Sequence, residues 1–121
     1  MANTTGHRTL TALRNQGYMA AMVERFNPHG GPFGVRQDLF GLFDIIAVHP
    51  EEGIIAIQCF TTAWTEHYNK FCEGHLEAYN WLKAGGKIEL WGWRKLKVKR
   101  GGKAIRWEPR IETIDLSHYS C

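Results

Sequence analysis

The sequence lacks the segments that direct a chain into or across a membrane. No apolar run approaches the roughly 20 residues that a membrane-spanning helix needs. The residues from Met1 to Thr5 are polar and show neither the charged nor the apolar region of a signal peptide. We therefore expect a cytoplasmic protein with no membrane partner.

Cysteine is scarce and is not arranged in pairs. The 3 cysteines include no CxxC motif, and no histidine or cysteine has the spacing of a zinc ligand set. An odd count without paired spacing also excludes a disulfide framework. Cys59 and Cys72 are predicted to be buried thiols, and Cys121 a loose terminal one. Internal repeats are absent as well, and 121 residues predict one domain, residues 1–121.

Positive charge is concentrated in one segment. The net charge is only +3, but residues 94–110 hold eight basic residues against Glu108 and carry +7. Such a concentration is typical of a surface that contacts nucleic-acid phosphates. A solvated hairpin whose lysines discourage edge-to-edge association would show it as well. The residues predicted to contact nucleic acid are Arg36, Arg94, Lys95, Lys97, Lys99, Arg100, Lys103 and Arg106.

The first half of the chain predicts one helix and three strands. A helix from Thr5 to Gln16 would place Leu10 and Leu13 inward and end before Gly17. Strands are predicted at residues 18–26, 39–48 and 54–61, and the proline- and glycine-rich residues 27–34 form a loop. The third strand is almost wholly apolar, so we expect it at the centre of the sheet.

The second half predicts a long helix and two further strands. Residues 65–84 repeat apolar side chains at helical spacing, and Gly85 and Gly86 end the helix. Residues 87–97 and 103–114 are predicted strands joined by a glycine turn. Trp91 and Trp93 would share one sheet face, either packing under a helix or stacking on bases. The order αβββαββ predicts an α/β domain with a mixed central sheet.

Two polar residues interrupt apolar strands. Asp44 lies within an apolar run, and an ionised carboxylate there needs a hydrogen-bond partner, a counter-charge or a metal. Gln58 follows fourteen residues later in the next apolar strand. Neighbouring strands joined by a short turn would place the two side by side, where they could hold a divalent cation. A structural hydrogen bond between Asp44 and Gln58 is the alternative.

This pattern resembles the PD-(D/E)XK nuclease superfamily. The resemblance is carried by residues 36–44 (RQDLFGLFD), by residues 55–62 (IAIQCFTT), and by the stretch from Trp81 to Lys95. It covers residues 5–100 and is similar to small archaeal-type Holliday-junction resolvases and to phage or prophage proteins with such a core. The resemblance implies a restriction-endonuclease-like αβββαβ core with a mixed central sheet and an added C-terminal strand.

The resemblance also assigns catalytic roles. Asp44 matches the metal-binding aspartate, and Gln58 stands where the family usually has glutamate or aspartate. Phe60 stands where the family usually has lysine, so a lysine on the following helix, Lys70, becomes the candidate for the scissile phosphate. Ion pairing of Lys70 with Glu66 and Glu73 on the helix surface is the alternative.

The metal shell implied by the resemblance needs further carboxylates. The acidic residue that resolvases carry in the first helix is missing, because Gly6 and His7 occupy its approximate position. Glu24 and Asp38 are therefore the candidates to complete, with Asp44 and Gln58, a site for Mg²⁺ or Mn²⁺. Either could instead be a surface charge next to an arginine.

The sequence and the resemblance together predict a metal-dependent endonuclease that hydrolyses DNA, for example branched or phage DNA. A homodimer is implied by the resemblance to resolvases. The alternative is a catalytically inactive module of the same fold that binds nucleic acid or a protein partner, which Gln58 and Phe60 favour. A third hypothesis is a subunit whose active site needs a partner chain.

Overall fold

A computed structural model describes residues 4–73 and 75–119, and only the backbone of residues 35, 36 and 119. Cys121 therefore lies outside the described residues. After β7 comes a short 3₁₀ turn, Leu116–Tyr119. The elements before it are α1 (Thr5–Asn15), β1 (Met19–Met22), β2 (Arg25–Asn27), β3 (Val35–Gln37), β4 (Ile45–His49), β5 (Gly53–Phe60), α2 (Trp64–Cys72), α3 (Leu76–Lys83), β6 (Lys87–Lys97) and β7 (Ile105–Ile114).

The described strands form a mixed sheet and a separate hairpin. The sheet has five strands in the order β1-β4-β5-β6-β7, and β2 pairs only with β3. The first three are antiparallel neighbours, β6 runs parallel to β5, and β7 returns antiparallel to β6. A parallel step needs a long crossover, which α2 and α3 provide. The predicted α/β class, the mixed sheet and the central position of β5 are confirmed.

Helices cover both faces of the sheet. Ile55, Ile57 and Trp91 belong to the core that includes α1, and we call this side the α1 face. Ala56 and Phe60 belong to the core that includes α2 and α3, and we call this side the α2 face. Because side chains alternate along a strand, neighbours in β5 and β6 point to opposite faces.

The α1 face shows how the tryptophans are used. Trp91 and Trp93 share this face, as predicted, and both are buried. The indole Nε1 of Trp93 donates a hydrogen bond of 2.8 Å to Oγ1 of Thr9 in α1. These rings therefore pack under the helix, and the base-stacking alternative is not supported.

Several predicted elements match closely. α1 begins at Thr5 as predicted, capped by the Thr4 hydroxyl, and ends one residue early at Asn15. Leu13 is buried, and Gly17 takes the left-handed conformation with φ of 91° that ends many helices. The strand at residues 87–97 has the predicted bounds.

The predicted strand at residues 18–26 is two strands. The pairing of β1 with β4 ends after Met22, where the N–H of Val23 donates a last hydrogen bond of 2.8 Å to the carbonyl of Asp44. The chain then leaves the sheet, and residues 25–27 pair with residues 35–37 instead. The loop predicted at residues 27–34 becomes the connection of this hairpin. Alternation alone did not distinguish one long strand from two short ones.

The predicted strand at residues 39–48 begins late. Phe40 and Gly41 have positive φ angles of 56° and 71°, which turn the chain back on itself. The N–H of Leu39 donates to the carbonyl of Phe43 at 2.9 Å and closes this turn. Asp44 therefore lies immediately before β4 rather than inside a strand.

The predicted helix at residues 65–84 is two helices. α2 ends at Cys72, and His75 is in extended backbone as the N-cap of α3. Gly74, which lies outside the described residues, is the poorest residue of this segment for a helix interior, costing roughly 1 kcal/mol relative to alanine. None of the helices in residues 4–73 and 75–119 has both the length and the apolar character needed to cross a membrane.

The hairpin of β6 and β7 extends beyond the rest of the sheet. Pairing of β5 with β6 stops at Phe60 and Gly92, whereas β6 stays paired with β7 as far as Lys97 and Ile105. Residues 93–109 therefore project past the C-terminal end of β5, and we call them the basic arm. Asp44 lies at this same end, because Ile45 pairs with Ile57 near the end of β5.

Candidate metal centre and basic arm

Three carboxylates meet at the end of the sheet where β5 finishes. Glu24 follows β1, Asp38 follows β3, and Asp44 precedes β4, so three separate segments supply them. One carboxylate oxygen from each lies within 4.8 Å of those of the other two. The structure thus brings together the three acidic residues that the sequence named as metal ligands. Oxygen atoms at this spacing are suited to a hard divalent cation.

Asp44 is held by the backbone of the neighbouring strand. Its N–H donates to the carbonyl of Ile57 at 2.8 Å. One step further, its Oδ2 accepts the N–H of Cys59 at 2.9 Å. The carboxylate therefore takes the position of a main-chain carbonyl and extends the ladder of β5. This bond fixes the oxygen at the edge of the cluster.

The surroundings of Asp44 disfavour its charged form. Burial is the largest cause and raises the pKa of Asp44 to about 7. A hydrogen bond with Asp38, and the negative charges of Asp38 and Glu24, act in the same direction. The N–H of Cys59 opposes them and lowers this pKa. A proton on Asp44 or a bound cation would each relieve the repulsion within the cluster.

A cavity of about 410 Å³ opens between the carboxylates and the start of α1. Asp44 and Glu24 line it from the sheet side, and Gly6 and His7 from the helix side. Glu24 thus brings a carboxylate to this cavity from the side opposite α1.

The Gln58 side chain is buried against α2. It is 3% exposed, and its Oε1 is 3.2 Å from Nδ1 of His67 in α2, so it points to the α2 face. Asp44 and Gln58 have different hydrogen-bond partners: Oδ2 of Asp44 accepts from the N–H of Cys59, and Oε1 of Gln58 contacts His67. The role of Gln58 as a metal ligand stays a prediction. Cys59 lies beside Asp44, with Sγ 3.6 Å from Oδ2. Burial first, and then the Asp44 charge, raise the pKa of this thiol to about 12, so it stays protonated.

Phe60 and Lys70 occupy defined positions on the α2 side. The Phe60 ring stacks on His67, with ring centres 4.0 Å apart. Burial lowers the pKa of His67, and Lys70 adds to this effect. Lys70 Nζ donates to the carbonyl of Gly41 at 3.0 Å. Lys70 therefore reaches the turn between Asp38 and Asp44, while its catalytic role stays a prediction.

The basic residues of the predicted nucleic-acid surface are exposed, and strand alternation divides them between faces. Lys95 and Lys97 follow Trp93 on the α1 face, the side of the carboxylate cluster, whereas Arg94 is on the α2 face. Of the basic residues predicted to contact nucleic acid, only Arg36 has a side chain outside the described atoms. The exposed members are Arg94, Lys95, Lys97, Lys99, Arg100, Lys103 and Arg106.

The raised pKa of Asp44 makes a prediction for the protein without metal. Asp44 holds its proton more tightly in the folded chain than in the unfolded chain, where the pKa is near 3.8. The free energy of unfolding should therefore fall as pH rises from about 4 to about 7, with a slope approaching about 1.4 kcal/mol per pH unit. Urea titrations across this range with EDTA measure the slope. If the free energy of unfolding of Asp44→Asn fell with pH as steeply as that of the wild type, this prediction would be contradicted.

Two contacts of this region were not predicted from the sequence. The hydrogen bond from Cys59 to Asp44 depends on β4 starting one residue later than Asp44. The stacking of the Arg110 guanidinium on Trp64, 3.9 Å from the ring centre, joins residues 46 positions apart. The only signal in the sequence for the contact between Arg110 and Trp64 is the presence of an arginine and a tryptophan near strands that contain glycine.

Comparison of the chain with protein-family models, curated proteins and solved structures gave no match.

Proposed function

We propose that this protein binds a divalent cation, Mg²⁺ or Mn²⁺, through Glu24, Asp38 and Asp44 and hydrolyses phosphodiester bonds in DNA. The observation that carries the proposal is the convergence of three carboxylates from three segments, with oxygens within 4.8 Å of one another. The basic arm projects past the same end of the sheet, so phosphates held by the arm would lie near the cluster.

The order of the elements supports the proposal. α1 is followed by three antiparallel strands of the main sheet, then by α2 and α3, and then by β6 parallel to β5. This is the order expected for the αβββαβ core of a restriction-endonuclease-like fold, and β7 would be the added strand. The hairpin of β2 and β3 would be an insertion into that core, and Asp38, which follows β3, belongs to the cluster.

The residues present fit a hard cation. Carboxylate oxygens are the preferred ligands of Mg²⁺ and Mn²⁺, and the Cys59 thiol beside them stays protonated. When bound, such a cation lowers the pKa of a bound water and stabilises phosphate charge. The chain itself positions Asp44 through the N–H of Cys59. Lys70 Nζ donates to the carbonyl of Gly41, in the turn between Asp38 and Asp44. Lys70 is therefore the candidate to contact the phosphate.

A second candidate function is a catalytically inactive module that binds nucleic acid. It is favoured by the α2 side of β5, where Gln58 is bonded to His67 and Phe60 is stacked on the same ring. At the position where the superfamily usually has its strand lysine, this chain would have Phe60, whose ring is stacked on His67 and supplies no positive charge. The basic arm would keep its role in binding, and the carboxylates would have none in cleavage.

Cleavage assays distinguish the two functions. Labelled four-way-junction, duplex and single-stranded DNA would be incubated with Mg²⁺ or Mn²⁺, and with EDTA as the control. We expect cutting that depends on the metal and stops with EDTA. Binding to all substrates without any cutting would favour the inactive module. Gel filtration of the same sample tests the homodimer implied by the resemblance.

A further inference from the structure

A second cavity lies on the α2 face, at the base of the basic arm. Its volume is about 230 Å³, which is below the roughly 300–1,000 Å³ typical of pockets for drug-sized ligands. Its walls come from the end of β5, the start of α2, and the strands β6 and β7. The residues that line it include Phe60, Thr61, Thr62, Trp64, Arg94 and Arg110.

Two arginines reach this cavity from neighbouring strands. Arg110 pairs with Gly92 of β6, and Arg94 lies two residues after Gly92 in the same strand. Because side chains alternate along a strand, both arginines project to the α2 face. The Arg110 guanidinium lies over the Trp64 ring, 3.9 Å from its centre. Stacking holds a guanidinium in a fixed plane while leaving its N–H groups available at the edge. A planar donor group of this kind suits phosphate oxygens.

Neither arginine of this cavity takes part in an ion pair with a residue that the structure describes. Glu108 is the residue opposite Arg94 in the register, but its carboxylate is ion-paired with Arg106 at 2.6 Å. Among the described residues, no carboxylate lies within the 4.0 Å ion-pair distance of Arg94 or Arg110. Glu66, in the first turn of α2, is exposed. The two arginines therefore present their charge to a ligand.

The start of α2 adds hydrogen-bond donors. Its N-cap, Ala63, is left-handed with φ of 63° and supplies no side-chain cap. The first bond of the helix runs from the N–H of His67 to the carbonyl of Ala63 at 3.1 Å. The N–H groups of the preceding turn have no partner within the helix. Together with the arginines, they form a positively polarised wall.

The aromatic rings decide what kind of group fits. One face of Trp64 is covered by Arg110, and Phe60 lies against the ring with centres 5.5 Å apart. The Arg110 guanidinium thus occupies a ring face of Trp64 on which a nucleobase would otherwise stack. The small volume and the donor groups favour a compact anion instead. We infer that this cavity binds a phosphate group, namely one phosphate of the nucleic-acid strand that the basic arm contacts.

This assignment of the phosphate to a nucleic-acid strand rests on the proposed function, whereas the anion site itself does not. The cavity is on the α2 face, and the carboxylate cluster is on the α1 side of the same sheet end. A strand that occupies both would cross the C-terminal end of β5. The phosphate held here would therefore differ from the one that is hydrolysed.

Nuclear magnetic resonance titration with inorganic phosphate, without metal, tests the site. We expect shifts of the amide signals at Trp64 to Glu66 and of the Arg94 and Arg110 side chains. Arg94→Gln should weaken phosphate binding by about tenfold or more, as expected for a lost charge-assisted bond. Arg110→Lys keeps the charge but loses the planar group, and it should also weaken binding. Lys83→Gln, an exposed residue of α3, is the matched control and should bind as the wild type does.

The outcomes separate this inference from the proposed function. Absence of shifts at the cavity, or equal weakening by Lys83→Gln, would overturn the phosphate site. Displacement of phosphate by a short single-stranded DNA would support the assignment to a nucleic-acid strand. Phosphate binding that such DNA does not displace would overturn that assignment and leave a site for free phosphate. None of these results depends on cleavage or on metal.

Discussion

Asp44→Asn is expected to abolish metal-dependent cleavage and, in the same molecule, to stabilise the metal-free fold at pH 8. Asparagine keeps the size of the side chain and can still accept the N–H of Cys59, so the ladder of β5 is retained. It removes the negative charge that a cation requires. Substitution of a residue that hydrogen-bonds to a metal ligand commonly lowers metal affinity or activity by about 10–100-fold. Loss of a direct ligand should therefore lower the cleavage rate by at least about 100-fold.

The gain in stability has the same physical origin. At pH 8 the Asp44 carboxylate is ionised although burial and the neighbouring carboxylates hold its pKa at about 7. Removing that charge relieves the repulsion from Asp38 and Glu24. Cleavage rates and thermal unfolding with EDTA measure the two effects. Glu51→Gln, at an exposed position in the turn between β4 and β5, is the control and should change neither.

A variant that loses both cleavage and stability would indicate that Asp44 is a structural residue rather than a metal ligand. A variant that keeps cleavage would remove the carboxylate cluster from the mechanism. Manganese binding measured by calorimetry completes the test, because it reports the cluster directly. We expect no measurable binding to the variant.

Phe43→Ala is expected to have the largest effect on stability, about 3–5 kcal/mol. The side chain is 0% exposed. Its ring lies 6.0 Å from that of Phe71 in α2 and 5.8 Å from that of Trp81 in α3, between ring centres. The substitution would open a cavity where the turn before β4 meets both helices. Chemical denaturation at pH 5 measures the loss, because the charge of Asp44 contributes less there.

Phe33→Ala is the matched control, because Phe33 is 95% exposed in the connection between β2 and β3. The same substitution there should change the free energy of unfolding by less than about 0.5 kcal/mol. A loss at Phe43 no larger than at Phe33 would contradict the packing described here. Since Phe43 adjoins Asp44, we also expect metal affinity to fall in Phe43→Ala.

The sequence predicted the regular parts of the fold well. α1 and β6 were found almost to the residue, because Gly17 and Gly86 mark the boundaries and the apolar spacing is clear. The prediction failed where tertiary pairing decides. The strand at residues 18–26 divides because β4 pairs with only its first half. The apolar spacing continues across Gly74 and predicts one helix, whereas α2 ends at Cys72 and α3 begins at Leu76.

The site was predicted in part for a related reason. A carboxylate in an apolar run needs a partner, which points to Asp44, whereas Glu24 and Asp38 follow from the resemblance, which implies further carboxylates. The structure brings the three together. The sequence predicts Asp44 inside a strand, next to Gln58 in the following strand. The positive φ angles of Phe40 and Gly41 delay the start of β4, so Asp44 precedes the strand. Such a turn is not visible in apolar periodicity, since Leu39 to Phe43 is an apolar run.

Gly92 imposes a constraint on how this chain can vary. A Cβ at Gly92 would lie 2.7 Å from Cε3 of Trp64, which is closer than real contacts allow. A larger residue at position 92 therefore requires a smaller one at position 64, and Arg110 would then lose the ring on which it stacks. These three positions should covary among homologous chains: glycine, tryptophan and arginine are expected to be kept as a set or replaced together.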